Sequence, residues 1–259
     1  REGSGLQPTP EANLLIEDIS EVLHGFDQLA MSFKRAGRGD RGVVRIAATP
    51  GPSLGFLPRL VADFQRGHPR VSVAMKIRNS ASIREMVATG NAEIGIADTG
   101  LQSPRYDSQP HRMICQCALH RSHPAASLDV VGPSDLAGTN WITFGPEHEI
   151  FHHLVAAHQD AGVQFRSILT VDSSVQAALL VELGSGAAML DPLTISFLTV
   201  GQDQRFLNIV LKPFTPTIHE SIDIISVNSR PLSSAARAFL AELKQSLFST
   251  DIDPTRLPS

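Results

Sequence analysis

The residues whose types and spacing most openly suggest chemistry are His148-Glu149-Ile150-Phe151-His152. They match H-E-x-x-H, in which two histidines one helical turn apart bind zinc and the glutamate between them acts as general base. His158 falls where the longer metzincin pattern places its third ligand, but that pattern turns the chain with a glycine where Val155 stands here. On a continuous helix, at ~100° per residue, His158 points well away from the His148–His152 face and could not close the site. The blander reading, a histidine-rich solvated helix in a chain with ten histidines, is therefore preferred. Cys115, Cys117, His120 and His123 form a second ligand-like group, yet C-x-C on a strand followed by a turn is not a zinc spacing. The sequence has no nucleophile elbow, Walker loop or dinucleotide fingerprint. No catalytic residue, metal or cofactor is expected.

A quieter constellation lies in Ile168–Pro192. Ile168, Leu169 and Val171 form a β-rich run, Asp172, Ser173 and Ser174 offer side-chain oxygens as helix N-caps, and residues 175–183 are nearly all apolar. Gly184 and Gly186 then stop the helix, and the short run Ala187–Leu190 suits an interior strand. The helix, apolar almost all round, should be buried between layers. This is a βαβ unit. In open α/β sheets, ligands sit beyond the carboxyl ends of strands, where N–H groups at helix starts attract carboxylates and phosphates. Ser173, Ser174 and Asp191 lie at that edge, although the serines also suit plain capping.

These residues need a scaffold, and 259 residues at 42% hydrophobic supply ample core. The formal charge of −4 leaves no electrostatic footprint for nucleic acid in this stretch. The chain begins at Arg1 with no signal peptide, and no apolar run approaches the ~18 residues that span a bilayer, so a cytoplasmic fragment is expected. Two cysteines make a disulfide framework improbable there.

From Ala12 the apolar residues Leu15, Ile19, Val22, Phe26, Leu29 and Phe33 follow gaps of three and four, a heptad helix suited to dimerisation, with Thr9 as N-cap and Pro10 at its first position. A core helix of the same domain is the alternative, and Gly25 weakens the coiled-coil reading. Residues 42–97 read βαβαβ: strand Val43–Ala48, a turn Thr49–Ser53, a helix with Leu57, Leu60, Val61 and Phe64, an alternating strand through Val71–Ile77, a helix with a Ser82/Glu85 capping box, and the strand Ile94–Ile96. Asp98–Pro110, rich in Ser, Pro, Gln and Gly, suggests a crossing to a second α/β domain. That domain would hold strands near Met113–Leu119, Asn140–Phe144 and Phe165–Val171 and a helix over 147–161. Strands at 206–211 and 222–227 and a helix with Ala236, Phe239, Leu240 and Leu243 would return to complete the first. The expected division is 1–40, linker and dimerisation helix; 41–98 with 201–248, subdomain 1; 99–200, subdomain 2; and 249–259, a loose tail.

With Thr49-Pro50 leading to Gly55-Phe56-Leu57-Pro58, Gly90-Asn91-Ala92-Glu93-Ile94-Gly95-Ile96, and Leu183-Gly184-Ser185-Gly186-Ala187-Ala188, this order resembles a LysR-type transcriptional regulator without its DNA-binding domain. The resemblance covers essentially the whole chain, and residues 1–9 are similar to the end of the family's winged helix-turn-helix. Within the family, Val171–Ile195 is most similar to the opine-catabolism regulators of plant-tumour bacteria. The resemblance implies two periplasmic-binding-protein-like α/β subdomains joined by two crossovers, an effector in the cleft between them, and a linker helix that dimerises the protein. It places effector loops at Thr49–Ser53, Asn79–Ala81 with Ser80 between, Asp98, Thr143–Phe144 and Ser173–Ser174. The departure is Pro50-Gly51-Pro52, where many relatives carry hydroxyl residues, which leaves Thr49, Ser53 and backbone groups such as those of Gly51 for the contact.

The expected function is a non-enzymatic effector sensor that forms a dimer or tetramer and acts on DNA through a domain absent here, with no membrane partner. Hydroxyls and helix starts at Asn79-Ser80 and Ser173-Ser174 suit carboxylates, and Asp98 and Asp191 suit an ammonium or guanidinium. Together they argue for a zwitterionic, amino-acid-derived effector, in agreement with an arginine-derived opine such as nopaline or octopine. The competing local reading is that Asp98 pairs with an arginine and Asp191 caps a helix. A free solute-binding protein is the alternative function, disfavoured by the heptad helix and the absent export signal, and the zinc metalloprotease comes third.

Overall fold

The computed structural model describes Thr9, residues 42–198 and residues 206–249, and the statements below concern these. The expected dimerisation helix and the tail lie outside the described residues.

Hydrophobic periodicity builds the first layer much as expected. Strands β1 (Val43–Ala48), β2 (Ser72–Ile77) and β3 (Ile94–Asp98) pair in parallel, with β1 between the other two. The parallel connections run through α1 (Pro50–Leu54) with α2 (Phe56–Gly67), and through α3 (Ser80–Ala88). The stretch expected to form the first effector loop is thus itself a short helix, broken from α2 at Gly55. On one face, Leu57, Leu60 and Phe64 of α2 pack with Ile46, Ile94 and Ile96 and with Phe239 and Leu243 of the last helix, α7 (Ser234–Ser249). On the other, Ile83 and Val87 of α3 cover Ala47, Ala97 and Ile225. A sheet buried on both faces needs near-continuous apolar strands, which is what β1 and β3 are.

Two further strands complete this sheet in the order β2-β1-β3-β10-β4, with β10 (His219–Val227) antiparallel to both β3 and β4 (Tyr106–Ile114). The segment 98–110 is therefore not a passage between layers. Residues 99–105 link β3 to β4 within the first sheet, and the polar residues and Pro110 of β4 lie on an edge strand, where an unpaired side tolerates both. The chain leaves the first sheet only at Cys115, which splits the expected strand 113–119 into β4 and β5 (Gln116–His120).

The second layer pairs β8 (Ala188–Leu190), β5 and β9 (Ile209–Pro213) antiparallel, and β6 (Trp141–Thr143) with β7 (Ser167–Thr170) in parallel. A bridge between Trp141 and Ala187 joins the two sets. The strand expected near 206–211 thus lies in the second sheet, and the return to the first runs through Phe214–Ile218, with a cis Thr215–Pro216 bond. Helix α4 (Glu149–Asp160) and the buried Trp141, Leu154 and Phe214 form one core here, and α5 (Ser174–Glu182) with Ala118, Ile142 and Leu190 another. Helix α5 is less enclosed than its composition suggested: Val175, Ala178 and Val181 are buried, but Leu179 is 48% and Leu183 78% exposed. Gly184, at φ 75°, ends it in the left-handed conformation that a side chain would strain. Helix α6 (Pro192–Leu198) follows β8. No described helix is long and apolar enough to cross a membrane.

Candidate functional site

The carboxyl ends of β1 and β3 and the start of α3 face the starts of α5 and α6 across one cavity of about 230 Å³. From the first sheet, Thr49, Gly51, Asn79, Ser80 and Asp98 line it; from the second, Phe144, Ser173, Ser174 and Asp191. Ala81 lies in the adjoining hollow of about 740 Å³, which shares Asn79, Ser80, Asp98 and Phe144. Two expected residues stand apart. Ser53 turns its hydroxyl back to the Thr49 carbonyl at 2.7 Å, and Thr143 is buried with its hydroxyl 2.8 Å from that of Ser167.

Several polar groups are already engaged. Asn79, not the Ser82/Glu85 capping box, caps α3: its Oδ1 accepts from the Ser82 amide at 2.8 Å. Ser173 caps α5, its hydroxyl accepting from the Val175 amide at 3.2 Å. Ser80 donates to Asp98 Oδ2 at 2.7 Å. Asp191 accepts from the Thr194 amide through Oδ1 at 2.9 Å, so the capping role is real, while Oδ2 faces Gly51, where a Cβ would come within 3.8 Å of it. Among the described residues no arginine pairs with the Asp98 carboxylate; Arg84 bonds its main-chain oxygen and pairs with Asp223 at 3.0 Å.

The zinc motif dissolves on inspection of its three histidines. His148 is the N-cap of α4 rather than its first turn, and its Nδ1 accepts from the Ile150 amide at 3.3 Å. His152 is exposed, and His158 is fully buried edge-on to Trp141 with Nδ1 2.8 Å from the Leu154 carbonyl. Glu149 binds the Ser221 amide instead of facing a metal. Cys115 and Cys117 are free thiols buried in one core; His120 bonds Ser122, and His123 faces Thr139.

What sequence reading missed is the floor of the cavity. Glu220 on β10 lines it together with His148, Arg78 and Asp172, and Leu193 and Ile222 supply apolar wall. His148 stacks on Phe144 with ring centroids 4.1 Å apart and holds Nε2 3.5 Å from Glu220 Oε1. Burial pushes the Glu220 carboxyl well above the usual range, and Asp191, Asp98 and Glu149 push it the same way. Burial also lowers His148, against the pull of Asp98 and other acids. A signal was present: Glu220 sits in phase with Ile222 and Ile224 on an alternating strand, so an acid occupies an inward position.

The profile of the LysR substrate binding domain matches residues 37–248. The chain belongs to this family. The LysR-type fold is also that of CbnR, a LysR family regulator solved at full length on its target DNA, which superposes with a TM-score of 0.72 at 17% identity over 95% of this chain and 83% of that one. Among curated relatives, the transcriptional activator LysR of Escherichia coli K12 is 25% identical over 93% of this chain and 76% of its own length. The octopine catabolism/uptake operon regulatory protein OccR of Rhizobium meliloti is 29% identical over 89% of this chain and 75% of its own.

The chain is accordingly a LysR-type effector-binding domain of a transcriptional regulator and not an enzyme, which removes the metalloprotease reading; the regulator relatives likewise displace the free solute-binding protein. Within this LysR-type domain the cavity sets acids on its floor and helix starts on its walls.

Proposed function

We propose that this LysR-type domain senses a small zwitterionic, amino-acid-derived metabolite, of the arginine-derived opine class to which octopine and nopaline belong. Effector binding draws the two α/β layers together and alters the geometry of a cytoplasmic dimer or tetramer on DNA, which is contacted through a winged-helix domain N-terminal to this chain. Thr49, Gly51, Asn79, Ser80, Ala81, Asp98, Phe144, Ser173, Ser174 and Asp191 are the proposed contacts.

The observation that carries the reading is the pairing of opposite charge preferences in one cavity. Asp191 and Glu220 are 5% and 6% exposed on its floor, and the starts of α3 and α5 stand on opposite walls. Helix starts favour a carboxylate, and buried acids favour an ammonium or guanidinium, which an acid can hold bidentately. The cavity and its adjoining hollow together match the ~300–1,000 Å³ of ordinary small-molecule sites. The similarity to OccR, whose name assigns it to octopine catabolism, supports the same class.

Calorimetric titration of the chain with octopine, nopaline and arginine tests this directly. Saturable binding of at least one is expected, and a ligand at 100 times its Kd should raise stability by ~2.7 kcal/mol. If none of the three binds, the opine class is wrong.

A further inference from the structure

Glu220 has the least satisfied carboxylate environment in the cavity. The residue is 6% exposed and lines the cavity, and its Oε2 has no hydrogen-bond partner. The groups around it come from every neighbouring element: Asp98 at the end of β3, Asp191 beyond β8, His148 and Glu149 at the start of α4, and Cys115 in the passage after β4. Met113 stands opposite it on β4, and His219 precedes it on β10. Among the described residues, no ion pair brings a lysine or arginine to it. A buried acid with an orphaned oxygen costs stability unless something completes it.

We infer that Glu220 is the anchor for the cationic end of the effector, its Oε2 receiving an ammonium or guanidinium N–H flanked by Asp98 and Asp191. This rests on the zwitterion reading above and adds the residue that recognises the cation. The alternative occupant is a divalent metal, since Asp98, His148 and Glu220 offer atoms within 4.8 Å of one another. The helix cap decides against it. Because His148 Nδ1 accepts from the Ile150 amide, the neutral ring carries its proton on Nε2, the nitrogen turned towards Glu220. That nitrogen is a donor, not a ligand. It faces Oε1, which leaves the acid proton of Glu220 on Oε2, where the cation must come.

A regulatory consequence follows from that geometry. Burial, with Asp191, Asp98 and Glu149, favours the protonated form of Glu220 in the free protein. When an N–H of the ligand cation takes the place of the acid proton, that proton passes to water, and the ligand keeps its charge. At pH values where the free protein holds that proton, up to one is released per effector bound, so affinity rises with pH, by up to about tenfold per unit, until Glu220 is ionised in the free protein as well.

The test is titration calorimetry with octopine and nopaline, in buffers of differing ionisation enthalpy and at several pH values, on the wild-type chain and on Glu220→Gln. Beside it, the carboxyl carbon of Glu220 is followed by NMR in the wild type as methylguanidinium chloride is added. The expected result is release of about one proton and binding at least tenfold weaker in the variant, with no proton release. Equal binding to both proteins without proton release overturns the anchor and leaves the zwitterion reading standing. If neither opine binds but methylguanidinium moves the Glu220 signal and lowers its pKa, the anchor stands and the opine class falls. Silence in both experiments overturns both. Stoichiometric zinc that is lost in His148→Ala or Glu220→Gln replaces the anchor with a metal site. The NMR arm uses only the wild type, so the inference remains decidable even if the variant does not fold.

Discussion

His148 Nε2 stands 3.5 Å from Glu220 Oε1, a contact between an imidazole and a carboxyl that each lean away from charge. Burial is the leading influence on each: it lowers the histidine and raises the acid, so both favour their neutral forms. The two residues come from different layers, His148 from the start of α4 behind β6 and Glu220 from β10, so the contact spans the base of the cavity.

The first prediction follows from the raised acid. Below the unfolded glutamate value of ~4.3, Glu220 is protonated in both states and costs nothing. As the pH rises towards its higher folded value, the unfolded chain binds fewer protons than the folded one, and stability falls by up to ~1.4 kcal/mol per unit. Glu220→Gln lacks this slope. Its Tm relative to wild type should climb as the pH rises above about 4.3, by ~2–4 °C for each kcal/mol. A difference that stays constant with pH in calorimetry would mean that the folded acid is not raised above the unfolded one.

Histidines give the opposite sign. Burial lowers His123, His148, His158 and His219, so below ~6.5 the unfolded chain takes up protons that the folded one refuses, and stability drops as the pH is lowered. His158 is the most enclosed, fully buried against Trp141 and Phe165. His158→Gln should be less stable near neutrality yet lose less on acidification. Urea denaturation at about pH 7 and about pH 5.5 measures both effects; an unchanged slope would assign the acid sensitivity to the other three.

Gly55 breaks α1 from α2 and lets α6 approach. A Cβ there would lie 2.5 Å from Phe197 Cα and 2.6 Å from its backbone nitrogen, atoms that cannot turn aside like the end of a flexible side chain. Gly55→Ala should cost ~1–3 kcal/mol in stability. Because the displaced elements lead from β1 and from β8, effector affinity should fall too, while Gly67→Ala, with open space around it, should leave affinity unchanged. Thermal melts and calorimetry on the two variants provide the comparison.

Much of this was legible in the sequence because strand ends announce themselves. Thr49, Asn79, Asp98, Ser173 and Asp191 each follow an apolar run, and the parallel topology gathers such positions at one edge. Errors came where a single residue's parity decides. Thr143 and Phe144 are neighbours, but Thr143 ends β6 facing the interior and Phe144 faces the cavity. Edge strand β4 was illegible because an edge need not alternate cleanly: Ser108, Gln109 and Pro110 pair with β10 as readily as apolar residues would. Glu220 was hidden for a different reason. Its inward phase with Ile222 and Ile224 marks it as buried, but it is near no motif, and the return of β10 between β3 and β4 is what carries it under the cavity.

The heptad pattern over residues 12–33 leads to a fourth prediction, from sequence alone. Replacing Ile19 and Phe26 with Asp places charges in an apolar seam at a cost of several kcal/mol and should weaken dimers while the α/β part stays folded. Sedimentation of the variant at unchanged mass would exclude this helix as the interface. Deleting residues 1–40 is the cleaner companion, because contacts between effector domains could preserve some association.

The last prediction separates capping from recognition at the start of α5. Ser173 caps this helix through the Val175 amide, whereas Ser174 is the first helical residue and is buried beside the cavity. Replacing both serines with alanine should remove bonds to an effector carboxylate worth ~1.5–3 kcal/mol each, a loss of at least about tenfold in affinity. The same change also removes the cap, at ~1 kcal/mol of stability, so a weaker binder could merely be a loosened helix. Glycine resolves the ambiguity: at an N-cap it costs only a few tenths of a kcal/mol relative to serine, yet it has no hydroxyl. Ser173→Gly should therefore melt close to wild type and still bind weakly if the hydroxyl touches the effector. If Ser173→Gly binds like wild type while Ser173→Ala does not, the serine acts on the helix alone. Direct recognition at this edge would then fall to Ser174 and the free amides of the first turn.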